Sequence, residues 1–82
     1  MAVIVEADVM ELANRGKVCL AILDEYPLDL RMGCVVGGIR FAISPLHMRW
    51  VKPDDARPII GLALEGRNLP ADWFVGRQVT PT

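Results

Sequence analysis

The segment Cys34-Val35-Val36-Gly37-Gly38-Ile39-Arg40-Phe41-Ala42-Ile43-Ser44 constrains the fold more than any other part of the chain. Ile39, Phe41 and Ile43 alternate with Arg40, Ala42 and Ser44, the period of a strand with one buried and one exposed face. The two glycines before them tolerate positive φ, as a two-residue hairpin turn requires. A second short apolar run, Cys34-Val35-Val36, lies on the other side of the turn. A β-hairpin is marginal alone, so the remaining segments must supply further strands to cover its apolar face.

Those strands are readable. Val3, Val5, Ala7 and Val9 alternate with Glu6 and Asp8, predicting a first strand over Val3–Val9 with the odd residues inward. Asp8 followed by Glu11 also fits a helix capping box leading into Met10, Leu12 and Ala13, a competing reading that Gly16 and the β-branched start weaken. Asn14-Arg15-Gly16 is turn chemistry. Lys17–Leu23 and Ile59–Glu65 are apolar on both faces, as expected of strands inside a closed or covered sheet.

Between these, Tyr26–Gly33 connects the second strand to the hairpin, and Pro45 marks a bend, bulge or edge. Leu46–Val51 resumes as an extended segment and Lys52–Pro58 is a loop. Asn68–Phe74 predicts one helical turn capped by Asn68 and ended by Gly76, and a short last strand falls at Gln78-Val79. Five to seven short strands with Gly and Pro turns define an all-β domain, a small barrel or sandwich spanning residues 1–82.

Composition narrows the function. A domain of 82 residues buries only about 60% of the surface its unfolded chain exposes. Its apolar fraction of 52% is high for so small a body, so part of that surface is expected to be covered by a partner or a second copy. Nine Lys and Arg against ten Asp and Glu lack the basic excess that neutralising many phosphates needs, which disfavours a nucleic-acid partner. Seven of the nine basic residues lie from Arg31 onward, while Asp24, Glu25 and Asp29 crowd an earlier turn. No apolar run approaches the roughly 18 residues of a membrane span, and the N-terminal segment carries no basic leader; a cytoplasmic location is the expectation.

Catalytic and metal chemistry find little footing. Cys19 and Cys34 stand alone in apolar strands, where burial keeps a thiol protonated and inert; they predict neither a disulfide framework nor a zinc site. His47 is the single histidine, and the adjacent Asp54 and Asp55 do not present the opposed carboxylates of an acid/base pair. No cofactor is expected. The stretch mixing basic and aromatic residues, His47, Met48, Arg49, Trp50, Lys52 and Arg57, is the candidate partner-binding surface. Its residue types suit a protein interface, and also suit stacking on a single nucleic-acid strand. Tyr26, Trp73 and Phe74 are further aromatic candidates, each more in keeping with a core than a site.

The last third carries a familiar pattern: Ile59-Ile60-Gly61-Leu62-Ala63-Leu64-Glu65-Gly66, then Leu69, then Val75-Gly76-Arg77-Gln78-Val79. It resembles the end of the second domain of elongation factor Tu and related translational GTPases. There a Val-Gly-x-x-Leu-x-Gly strand precedes a turn and Arg-Gly-Gln-Val. Arg15-Gly16-Lys17-Val18 looks like that domain's Arg-Gly-x-Val, and Leu30-Arg31-Met32-Gly33-Cys34-Val35-Val36 looks like its Leu-x-x-Gly-Asp-x-Val turn. The likeness runs from about Val5 to Thr80 and implies a small closed six-stranded antiparallel β-barrel.

In those relatives a Glu-Met-His-Arg-Lys segment and an Asn before Val-Gly help hold the aminoacylated end of transfer RNA. This chain keeps His47 but has Pro45, Met48 and Ile59 at the Glu, Arg and Asn positions. Those residues cannot make the same side-chain hydrogen bonds. No Gly-x-x-x-x-Gly-Lys-Ser/Thr occurs, so GTP binding is not expected either. The expectation is a non-catalytic barrel acting through protein contacts, by self-association or with a partner chain; the alternative is a module associated with RNA, transfer RNA or the ribosome.

Overall fold

The alternation of Ile39, Phe41 and Ile43 produces the strand it predicts. In the computed structural model, which describes residues 1–14, 16–26, 29–30, 32–44 and 57–82, the strands are β1 (Ala2–Leu12), β2 (Gly16–Leu23), β3 (Cys34–Val36), β4 (Ile39–Ile43), β5 (Ile59–Ala63) and β6 (Gln78–Pro81). A single helical turn, α1 (Ala71–Phe74), precedes β6. The strands close into an antiparallel six-stranded barrel in the order β1-β2-β5-β4-β3-β6. The Gly37-Gly38 turn has φ of 57° and 78°, the doubly positive geometry that two-residue hairpins select.

β1 departs from its expected phase. Ala2 and Ile4 are buried in the core, as are their phase-mates Ala7 and Val9 in part, while Val5 is 42% exposed. The cause is a bulge: the register with β2 steps between Ile4 and Glu6, so an extra residue at Val5 resets the alternation. Val3 and Val5 therefore do not face inward. The competing helix over Met10–Ala13 is also overturned, since Met10, Glu11 and Leu12 pair with Val18, Lys17 and Gly16.

The seam closes at β6. Ala2 and Val3 pair with Val79 and Gln78, the Ile4 N–H donates to the Arg77 carbonyl at 3.0 Å, and the Gly76 N–H donates to the Ile4 carbonyl at 2.8 Å. The helical turn begins later than expected, with Pro70 and not Asn68 at the cap position and no side-chain cap. Pro70 holds the residue before it extended, which prevents a helix from starting at Asn68. On the opposite side of the barrel β4 meets β5, where Ala42 and Ile43 pair with Ala63 and Leu62.

Inside the barrel lie Ile4, Cys19, Ala21, Leu23, Cys34, Val36, Phe41, Ile60, Leu62, Leu64, Phe74 and Val79, all buried. Phe74 fills one end, with its ring 4.9 Å from Trp73 in an edge-on arrangement and 5.6 Å from Phe41. The expected extended segment Leu46–Val51, and most of the Lys52–Pro58 loop, lie outside the described residues. Among the described residues no helix is long and apolar enough to cross a membrane.

Candidate functional site

Of the sequence-predicted surface residues, His47, Met48, Arg49, Trp50 and Lys52 lie outside the described residues, as do Asp54 and Asp55. Arg57 sits at a bend before β5 and donates from Nη1 to Glu6 Oε1 of β1 at 2.8 Å. Both side chains are about half exposed, so the pair contributes at most about 1 kcal/mol. Its value is positional, because it places Arg57 at the rim of the barrel's outer wall.

That outer wall is unusually apolar, and the pairing register explains why β2 and β5 read as apolar on both faces. Cys19, Ala21 and Leu23 of β2, with Ile60 and Leu62 of β5, point into the barrel. The alternate residues form rows across the outside: Glu6, Ile22 and Ile59; Asp8, Leu20 and Gly61; Met10, Val18 and Ala63. Among these, Leu20, Ile22, Ile59 and Ala63 form an apolar strip outside the barrel core, whereas Val18 in the same rows is only 4% exposed and already covered within the chain. Leu20, Ile22, Ile59 and Ala63 are half-buried. Carboxylates Glu6 and Asp8 border the strip on its β1 side.

A second feature lies at the barrel mouth. Glu11 continues the inward phase of Ala7 and Val9, and Lys17 that of Cys19 and Ala21, so the inner faces of β1 and β2 end in a charged pair. Lys17 Nζ stands 3.7 Å from Glu11 Oε1. Arg67 lies beside them with its guanidinium carbon 5.5 Å from the Phe41 ring centroid. Together with Leu12 and Asn68 these residues line a groove of about 600 Å³. Sequence reading missed it, because the signal is a phase relation between two strands that only the register supplies.

The aromatic candidates divide. Phe74 is fully buried, Tyr26 is 64% exposed, and Trp73 is half-buried with the Arg77 guanidinium carbon 4.1 Å above its ring. Arg77 also donates from Nε to the Trp73 carbonyl at 2.5 Å, fixing the stack. This is a packing arrangement around the helical turn, with a cation held over an indole face.

Nucleophilic chemistry from the thiols is suppressed. Burial pushes Cys19 up to about 12, with the Asp8 carboxylate adding to the effect, and burial alone pushes Cys34 up to about 11. Both cysteines are free and buried. Native protein at pH 8 is therefore expected to resist iodoacetamide over hours, while denatured protein is alkylated at both positions within minutes, as counted by mass spectrometry. Because each native thiol keeps its proton above the unfolded value of 9.0, the stabilisation from the neutral thiols is intact below pH 9. It is lost as pH rises from 9 to about 11 for Cys34 and about 12 for Cys19, so alkaline unfolding should set in above pH 9.

Among the described residues no group of three or more His, Cys, Asp or Glu is placed to hold a metal ion. No family model, no characterised protein and no solved structure matches the chain. The likeness to the translation-factor barrel accordingly rests on the sequence fragments quoted above.

Proposed function

We propose that this chain is a non-catalytic β-barrel binding module that works through protein contact, its first partner being a second copy of itself docked on the outer strip of β1, β2 and β5. The observation that carries this reading is the strip itself. In a closed barrel the inner positions already supply the core, so the half-buried Leu20, Ile22, Ile59 and Ala63 have no stabilising duty inside the barrel. An apolar centre with a polar rim is the anatomy of an interface.

Charge permits self-association. Glu6 at the rim is matched by Arg57 within the chain and the net charge is −1, so Asp8 is the bordering carboxylate that two copies must keep apart. Size sets the expected strength. Three strands about 4.8 Å apart and five residues long span on the order of 200 Å², well below the roughly 800 Å² per partner of a standard interface. The strip is the centre of such a contact, and the dimer is expected to be weak and concentration-dependent.

Sedimentation over a concentration series tests this, using the native chain and Leu20→Lys. The native chain should gain mass with concentration. The variant should remain monomeric with a thermal midpoint within a few degrees of native, because a lysine at a half-buried outer position can extend its ammonium to water. A native chain that stays monomeric throughout would reject the self-association reading. Mass gained only with added bulk transfer RNA at low salt would replace it by the RNA-associated reading.

A further inference from the structure

The groove at the barrel mouth holds two cations whose hydrogen-bonding capacity is almost unused. The Lys17 ammonium makes no hydrogen bond to any described residue, its contact with Glu11 being 3.7 Å. Arg67 spends one long bond of 3.4 Å on the Leu64 carbonyl and stands 3.8 Å from Glu65 Oε2. A lysine carries three donors and an arginine five, so most are free to meet a ligand.

Arg67 is nevertheless held in place. Its guanidinium lies over Phe41, a ring only 3% exposed and fixed by Trp73 and Phe74, so little rotational freedom remains to be lost on binding. A planar guanidinium with a neighbouring ammonium matches an oxygen anion, the fork taking two oxygens and the ammonium acting as a point charge. Barrel mouths are recurrent ligand sites, and about 600 Å³ falls within the range of small-molecule pockets. Glu11 lines the same groove and Glu65 stands beside Arg67, so each cation has one exposed carboxylate neighbour, and this balance suits a singly charged group better than a polyanion.

We propose that this groove binds the carboxylate or phosphate group of a small solute, held between the Lys17 ammonium, the Arg67 guanidinium and the Asn68 side-chain amide. On binding, the anion replaces Glu11 as the near neighbour of Lys17. The site is independent of the outer strip and of whether the chain dimerises.

The test is a titration of the ¹⁵N-labelled full chain with sodium phosphate and, separately, sodium acetate, at constant ionic strength, following backbone amides by NMR. Saturable shifts concentrated at Lys17, Gly66, Arg67 and Asn68 are expected with at least one salt. Saturation with phosphate alone assigns a phosphate-bearing solute, and with acetate alone a carboxylate; with both, the site reads the shared oxyanion. Arg67→Gln and Lys17→Gln should each weaken binding by about tenfold or more, the scale of a charged hydrogen bond. Glu11→Gln should tighten it roughly two- to fivefold by removing the exposed competitor, a gain that a damaged fold cannot mimic. Shifts that fail to saturate with either salt, that spread equally to Arg40 and Arg57, or that leave Glu11→Gln indistinguishable from native would overturn the proposal.

Discussion

Phe74→Ala is expected to leave the barrel largely unfolded at temperatures the native chain tolerates. Phe74 is fully buried and packs on both Trp73 and Phe41, so truncation removes a ring from the centre of the aromatic cluster. Such a change costs about 3–5 kcal/mol. A domain of this length has a total stability of about 4–12 kcal/mol, so a large share of it disappears.

The loss should propagate along the chain. A four-residue helical turn has no stability of its own and exists because Phe74 anchors it. Gly76 and Arg77, two and three residues after it, make the bonds to Ile4 that join β6 to β1. Undocking the turn therefore opens the seam on which closure depends. Thermal unfolding followed by circular dichroism should show the midpoint falling by more than about 12 °C, taking at least 4 °C for each kcal/mol. Tyr26→Ala, at a residue 64% exposed, should shift it by no more than a few degrees. Equal effects of the two changes would show that Phe74 does not hold the end of the barrel.

How much of this was legible beforehand depended on whether a feature is written in one segment or between segments. The hairpin at Gly37-Gly38 is local, since two residues able to take positive φ sit between two apolar runs, and the fold reproduces it. The bulge at Val5 has no such signature. Nothing in Ile4-Val5-Glu6 announces an extra residue, yet it reverses which of the early valines face inward. Asn68 has the chemistry of a cap, but Pro70 two residues later governs where the helix begins.

The functional surfaces divide the same way. Apolar residues on both faces of β2 and β5 could be seen in sequence, but their separation into a lining and an outer strip needed the cross-strand register. The mouth groove was invisible. Glu11, Lys17 and Arg67 are ordinary surface charges until β1, β2 and the Phe41 ring bring them together. The basic and aromatic stretch from His47 to Lys52 was legible as residue types alone and lies outside the described residues; Arg57, the last of the six candidates, has a described contact with Glu6.

Gly33→Ala is the second large effect expected, for a reason unrelated to hydrophobic burial. Gly33 has φ of 101°, a region that residues with a Cβ rarely adopt, and a Cβ built there would lie 2.7 Å from the Phe41 carbonyl oxygen. That oxygen is backbone of β4 opposite Cys34 in the β3–β4 ladder, so it cannot move aside without disturbing the pairing. Strain and steric overlap together should cost about 3–5 kcal/mol. Gly38→Ala is the control: its φ is 78°, but nothing lies within 4 Å of the added carbon, so only the left-handed backbone is penalised, by about 1–2 kcal/mol. The Gly33 carbonyl also accepts the Thr82 N–H at 3.2 Å, tying the end of β6 to β3. Denaturant unfolding of the two variants should separate them by at least 1 kcal/mol, with amide exchange at Thr82 accelerated in Gly33→Ala alone. Equal destabilisation of both would mean that backbone conformation governs at Gly33 and that the close approach to Phe41 relaxes without cost.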